Sequence, residues 1–173
     1  MTAHTSSLKA LPHAYLFVPA DWPERIAKAR ASGADAVIID LEDAVAPEAK
    51  ARARDALALA LDESAPLVVR INAAGTPWFD DDLELCRHPG VAAVMLPKAQ
   101  GIDAVCTVVE TTYQDVLPII ESARGLHEME NIARVPGVIR LAFGSVDLAL
   151  MVGTLAFGAG VLRPICAIEA KTS

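Results

Sequence analysis

The sequence predicts an α/β fold built on a parallel sheet. Three observations lead there. Short apolar runs recur about every 20 to 30 residues, the length of a strand plus a crossover helix. Several runs are continuous rather than alternating, as in parallel strands buried on both faces. The segments between them are amphipathic or alanine-rich and carry helix start and stop signals.

The elements follow in order. The apolar runs fall at 14–18, 36–41, 67–71, 93–96, 116–120 and 139–143. Pro23, with Glu24 in the first turn, opens the first helix, and Gly33 stops it. Pro47 opens a second helix over 48–61, where alanine and arginine favour helix. Ser122 precedes a helix over 123–135, and Pro136-Gly137 ends it. No linker rich in Gly or Ser interrupts the six βα units. Two architectures fit: a doubly wound sheet, or about six of the eight units of a (β/α) barrel. No G-x-G-x-x-G follows the first strand and no P-loop is present, which disfavours the nucleotide-binding doubly wound folds.

Composition narrows the function classes. The 173 residues are 53% hydrophobic and 21% charged, enough for one domain with a core. The net charge of −7 carries no basic stretch, so nucleic acid is not an expected partner. The three cysteines, Cys86, Cys106 and Cys166, form no CxxC pair. That argues against a disulfide framework or structural zinc and suits a reducing, cytoplasmic setting. The stretch 155–168 is apolar but broken by glycine, arginine and proline, so no membrane span is expected.

The chemistry gathers at one end of the strands. Asp40, Glu42 and Asp43 follow the second, and Arg70 and Asn72 the third. Lys98 follows the fourth, Glu121 the fifth, and Gly144, Ser145 and Asp147 the sixth. Active sites of parallel α/β folds lie at these ends. Carboxylates without His or Cys suit a hard cation such as Mg²⁺. Glu121 and Asp147 end neighbouring strands and are the candidate metal ligands, while Arg70 suits a bidentate grip on a substrate carboxylate. Singly, such residues are also ordinary caps or ion-pair partners, and Asp43 and Ser122 are candidate caps. Trp22 and Trp78 read as packing, His88 and His127 as surface, Cys86 and Cys106 as ordinary helix residues, and 75–77 as a turn.

The segments 15–19, 23–25, 33–45, 69–72, 95–98, 120–122 and 143–147 carry a resemblance. In order and spacing, the chain resembles the aldolase and citrate lyase beta-subunit superfamily. The resemblance implies a TIM barrel, usually oligomeric and often trimeric. It implies Mg²⁺ at Glu121 and Asp147, with Arg70 and Glu121 against a 2-oxo acid. It implies that Glu42 and Asp43 line the metal site through water. Lys98 joins them as a substrate-binding candidate. The implied reaction is cleavage of a citryl-, malyl- or citramalyl-type thioester of coenzyme A to a 2-oxo acid and an acyl thioester.

Two departures qualify it. The family usually has Arg-Ser before the first strand, where this chain has His13-Ala14. That favours an alternative, a class II aldolase acting on a free hydroxy-oxo acid. The resemblance also stops near residue 151. The expected division is an N-terminal segment 1–13, a partial barrel lyase domain 14–150 and a divergent tail 151–173. Two βα units then lack a counterpart, so a truncated, non-catalytic relic is the third reading. The apolar tail or a second chain would cover an open barrel edge.

Overall fold

A computed structural model describes residues 12–144 and the short strand Ile168–Glu169. Six strands run parallel: β1 (Tyr15–Pro19), β2 (Ala36–Asp40), β3 (Leu67–Arg70), β4 (Val91–Leu96), β5 (Asp115–Ile120) and β6 (Arg140–Phe143). Each pairs with the next in chain order, so the sheet winds in one direction. Ile168–Glu169 forms β7, antiparallel to β6, with Leu141 opposite Ile168. The fold of the described residues is therefore α/β, with six parallel strands of an incomplete TIM barrel. Among the described residues, β1 pairs with β2 alone.

Five helices make the crossovers: α1 (Ile26–Arg30), α2 (Lys50–Ala60), α3 (Phe79–Leu85), α4 (Ile102–Thr112) and α5 (Ala123–Ala133). Single 3₁₀ turns that start at Pro23 and Pro47 lead into α1 and α2. Proline suits this place because its ring presets φ and its missing N–H is not needed there. Ser122 caps α5 as expected, its hydroxyl accepting from the Gly125 N–H at 3.0 Å. Asp43 caps nothing. The turn before α2 begins at Ala46 with no side-chain cap, and Asp43 faces Arg70 instead.

The continuous apolar strands have a direct cause. One set of side chains, including Ile38, Val68, Met95 and Leu117, fills the barrel interior. The alternate set, including Ile39, Val69, Val94 and Ile120, packs under Leu57, Val105 and Ile132 of the helices. Both faces are dry, so both must be apolar. Cys86, just past α3, belongs to this outer core, and burial pushes its thiol up. Cys106 lies within α4. Among the described residues, no helix is long and apolar enough to cross a membrane.

Candidate active site

Strand register assembles the site. Asp40 stands beside Arg70 across β2 and β3, and Ile120 beside Phe143 across β5 and β6. The residues after these strand ends therefore share one rim.

Arg70 lies at the centre. Its Nε donates to Asp40 Oδ1 at 2.8 Å and its Nη2 to Asp40 Oδ2 at 2.5 Å. Its Nη1 stands 3.4 Å from Glu42 Oε2 and 3.8 Å from Asp43 Oδ2. Burial opposes the charge on Arg70, but the Asp40 bonds and the three carboxylates hold its pKa above the usual arginine value. The bidentate edge expected to grip a substrate is thus occupied by Asp40. The Nη1 side is turned to Glu42 and Asp43.

Lys98 bridges two acids. Its Nζ donates to Glu42 Oε1 at 2.5 Å, and its backbone N–H donates to Glu121 Oε2 at 3.2 Å. Its φ of +52° lies in the left-handed region, which costs a non-glycine residue about 1 kcal/mol or more. Burial works against its charge, yet Glu42, Asp43 and Glu121 carry its ammonium above the ordinary lysine value.

Glu42 is 5% exposed. Burial raises its pKa, Lys98 and Arg70 pull it back, and Asp43 adds to the rise. Its Oε2 is buried and accepts no hydrogen bond among the described residues. Glu121 is buried under the backbone of Gly144, where a Cβ would stand 2.7 Å from Glu121 Oε1. Residue 144 must therefore lack a side chain for Glu121 to hold its place. Beside these groups opens a cleft of about 340 Å³, walled by Glu42, Asp43, Lys50, Asn72, Trp78 and Lys98 among others.

Five anticipated residues, Glu42, Asp43, Arg70, Lys98 and Glu121, thus meet at one mouth. Asp147 lies outside the described residues. Three others support the mouth and escaped the sequence reading. Asp82, fully buried, takes Arg54 Nε on one oxygen at 2.9 Å. Its other oxygen takes the Asn72 amide at 2.7 Å and the Asn72 backbone N–H at 2.9 Å. Lys50 Nζ donates to the carbonyls of Leu41 and Glu42, both at 2.8 Å. Burial depresses its pKa, opposed by Asp82, Asp40 and Glu42. One signal was available. A lysine in the first turn of a helix opposes the macrodipole, so it calls for another partner.

The donor chemistry fits a hard divalent cation. The side-chain acceptors at the mouth are carboxylate oxygens, and the buried Glu42 Oε2 has none of its hydrogen bonds made. Among the described residues no three His, Cys, Asp or Glu side chains are set to hold a metal, and Glu121 is the described member of the expected pair.

Comparison with known proteins decides the family. The profile described as HpcH/HpaI aldolase/citrate lyase matches residues 13–161. The chain belongs to this family. Within the HpcH/HpaI family it is 41% identical over 147 residues to a citrate lyase subunit beta-like protein of Mycobacterium tuberculosis, covering 85% of this chain and 52% of that one. It is 35% identical over 164 residues to an L-malyl-CoA/beta-methylmalyl-CoA lyase of Cereibacter sphaeroides, covering 84% and 52%. The crystal structure of M. tuberculosis CitE with magnesium and pyruvate superposes with a TM-score of 0.74 at 42% identity, covering 85% of this chain and 60% of that one. The chain spans about half the length of the curated relatives it matches.

The departure at His13-Ala14 takes on a different meaning in this HpcH/HpaI barrel. Both backbone N–H groups donate to Asp35 Oδ2 at 2.9 Å. Those residues precede β1 and β2, so they sit at the strand ends away from Glu42 and Glu121.

Proposed function

We propose that this chain carries the site of a Mg²⁺-dependent carbon–carbon lyase. The substrate class is a β-hydroxyacyl thioester of the citryl-, malyl- or citramalyl-CoA type. The products are a 2-oxo acid and an acyl thioester. The observation that carries the reading is the acid-rich mouth itself. Asp40, Glu42, Asp43 and Glu121 meet Arg70 and Lys98, so carboxylates outnumber the cations they touch. An anionic oxo acid enters such a mouth only if further positive charge accompanies it. The similarity to a malyl-CoA lyase and to a CitE crystallised with magnesium and pyruvate supports that charge being Mg²⁺.

Glu121, together with Asp147, would hold the ion. A bound Mg²⁺ supplies Lewis-acid stabilisation of the oxyanion that develops on the oxo acid. The protein's own groups set the geometry around it. Arg70, fixed by Asp40, presents Nη1 to a carboxylate without having to find its rotamer on binding. Lys98 holds Glu42 Oε1, and the buried Oε2 lies 3.4 Å from Arg70 Nη1, so Glu42 ties the two cations of the mouth together. The cleft beside them gives room for the acyl end. His13-Ala14, on the other side of the barrel, gives the free-acid aldolase reading no support here. We place the lyase domain at 14–150 and its assembly as a homo-oligomer, a trimer by family resemblance.

The test is titration calorimetry with pyruvate, glyoxylate and oxaloacetate, followed by assay of the matching thioesters. Mg²⁺-dependent binding of one acid, lost in Glu121→Ala, is the expected result. Binding or turnover that persists in excess chelator would overturn the metal reading. Cleavage of a free hydroxy-oxo acid without coenzyme A would replace the thioester substrate. Absence of both binding and turnover would leave a non-catalytic relic.

A further inference from the structure

Lys50 is a buried charge that the proposed chemistry does not use. It is 5% exposed and opens α2. A cation at a helix N-terminus stands against the dipole, so its burial there must be offset. The offset is local. An ammonium has three donors. Two go to the carbonyls of Leu41 and Glu42 at 2.8 Å each. The nitrogen also lies 5.0 Å from the centre of the Trp78 ring, within cation–π range.

The two clamped peptides belong to the turn that carries Glu42. The Leu41 carbonyl also accepts from Asn72 Nδ2 at 3.1 Å. Asp40 accepts from the N–H of Glu42 at 2.8 Å and of Ala44 at 3.2 Å. Glu42 is thus held by its backbone on one side and by Lys98 on its carboxylate. We propose that Lys50 is a positioning residue, clamping the Leu41 and Glu42 carbonyls so that the Glu42 carboxylate meets Lys98 and Arg70. Its consequence for ligand binding rests on the lyase reading above. Its consequence for the turn does not.

Two measurements test this on the full chain. The first is residue-resolved hydrogen exchange on wild type, Lys50→Met and Lys50→Arg. In Lys50→Met, the amides of Glu42, Ala44 and Val45 should exchange about tenfold faster or more, while those of α4 and α5 stay unchanged. Lys50→Arg, which keeps a charged donor, should return most of the protection. Unchanged exchange at the turn, or an equal rise everywhere, would overturn the proposal. Should Lys50→Met fail to fold, Trp78→Leu removes one side of the clamp and should show the same pattern, weaker. Unchanged turn exchange in that variant would count equally against it.

The second measurement is Mg²⁺-dependent oxo-acid binding in Lys50→Met, Glu42→Gln and the double variant. A residue acting through Glu42 weakens binding about tenfold alone and adds almost nothing once Glu42 is gone. Additive losses would overturn the proposal. If wild type binds no oxo acid, the lyase reading fails and hydrogen exchange alone decides the role of Lys50.

Discussion

Arg70 and Asp40 are joined by a two-point fork, Nε to Oδ1 at 2.8 Å and Nη2 to Oδ2 at 2.5 Å, between adjacent parallel strands. Asp40 is 1% exposed and also accepts the backbone N–H groups of Glu42 and Ala44. The pair therefore ties the position of the guanidinium to the turn that carries the acids. Removing Asp40 leaves a largely buried arginine without its closest counter-charge. Breaking one partner of such a pair costs about 3–5 kcal/mol. Asp40→Ala should lower the unfolding free energy by that order, read as a reduced urea midpoint with an unchanged slope.

Glu42 gives a pH signature. Burial places its native pKa above the ordinary 4.5. The folded chain then holds this proton more tightly than the unfolded chain. Below 4.5 both states are protonated. As pH rises from 4.5 through the native value, the unfolded state ionises first, and the contribution of Glu42 to stability falls before it levels off. The stability of wild type minus that of Glu42→Gln should therefore decline over that window. Urea titrations at successive pH values give the curve, and a rise with pH would refute the assignment.

Much of this fold is legible in the sequence, for a physical reason. Strands dry on both faces need unbroken apolar runs, and each of the six runs lies within a residue or two of an observed strand. The strand-end rule then places Glu42, Arg70, Lys98 and Glu121 on one rim without side-chain coordinates. What stays hidden is which partner each group takes. Arg70 reads as a free substrate clamp, yet the register puts Asp40 directly beside it. Asp82 looks like one more acid in a helix-opening run of three, and only its turn toward the core makes it a buried acceptor. Gly125 looks like a weak helix residue, although a Cβ there would stand 2.5 Å from the Ala99 carbonyl oxygen. Such contacts join residues far apart in the chain, so local pattern carries no sign of them.

Gly144 tests the shape of the acid mouth. A methyl group at this position would overlap Glu121 Cγ and stand 2.7 Å from its Oε1, so the whole Glu121 side chain would have to move. Backbone can yield less readily than a carboxylate, and the Gly144 N–H is bonded to the Ile120 carbonyl at 3.0 Å. Gly144→Ala should therefore turn Glu121 aside and keep the fold. The expected result is a melting temperature within a few degrees of wild type and Mg²⁺-dependent oxo-acid binding at least about tenfold weaker, a loss near 1.4 kcal/mol. Binding equal to wild type would show that Glu121 does not need this place.

Asp82 carries the support beneath the cleft, and its chemistry leaves no room for an amide. One oxygen accepts from Arg54 Nε at 2.9 Å, and the other from two donors of Asn72 at 2.7 and 2.9 Å. Because a carboxylate only accepts, the Asn72 amide must turn its nitrogen to Asp82 and its oxygen the other way. Asp82→Asn puts an NH₂ group against either Arg54 or Asn72, whichever way it rotates. One buried donor is then faced by another donor, and Arg54 keeps only the exposed Asp81, 3.2 Å from its Nη1, as a counter-charge, at a cost of about 3 kcal/mol. Urea denaturation should show that loss. A cycle with Arg54→Met should recover part of it, since the donor that the new amide would face is removed together with a guanidinium left only with exposed Asp81. Equal losses in the single and double variants would place the cost on Asn72, whose Nδ2 then no longer helps hold the Leu41 carbonyl under Glu42.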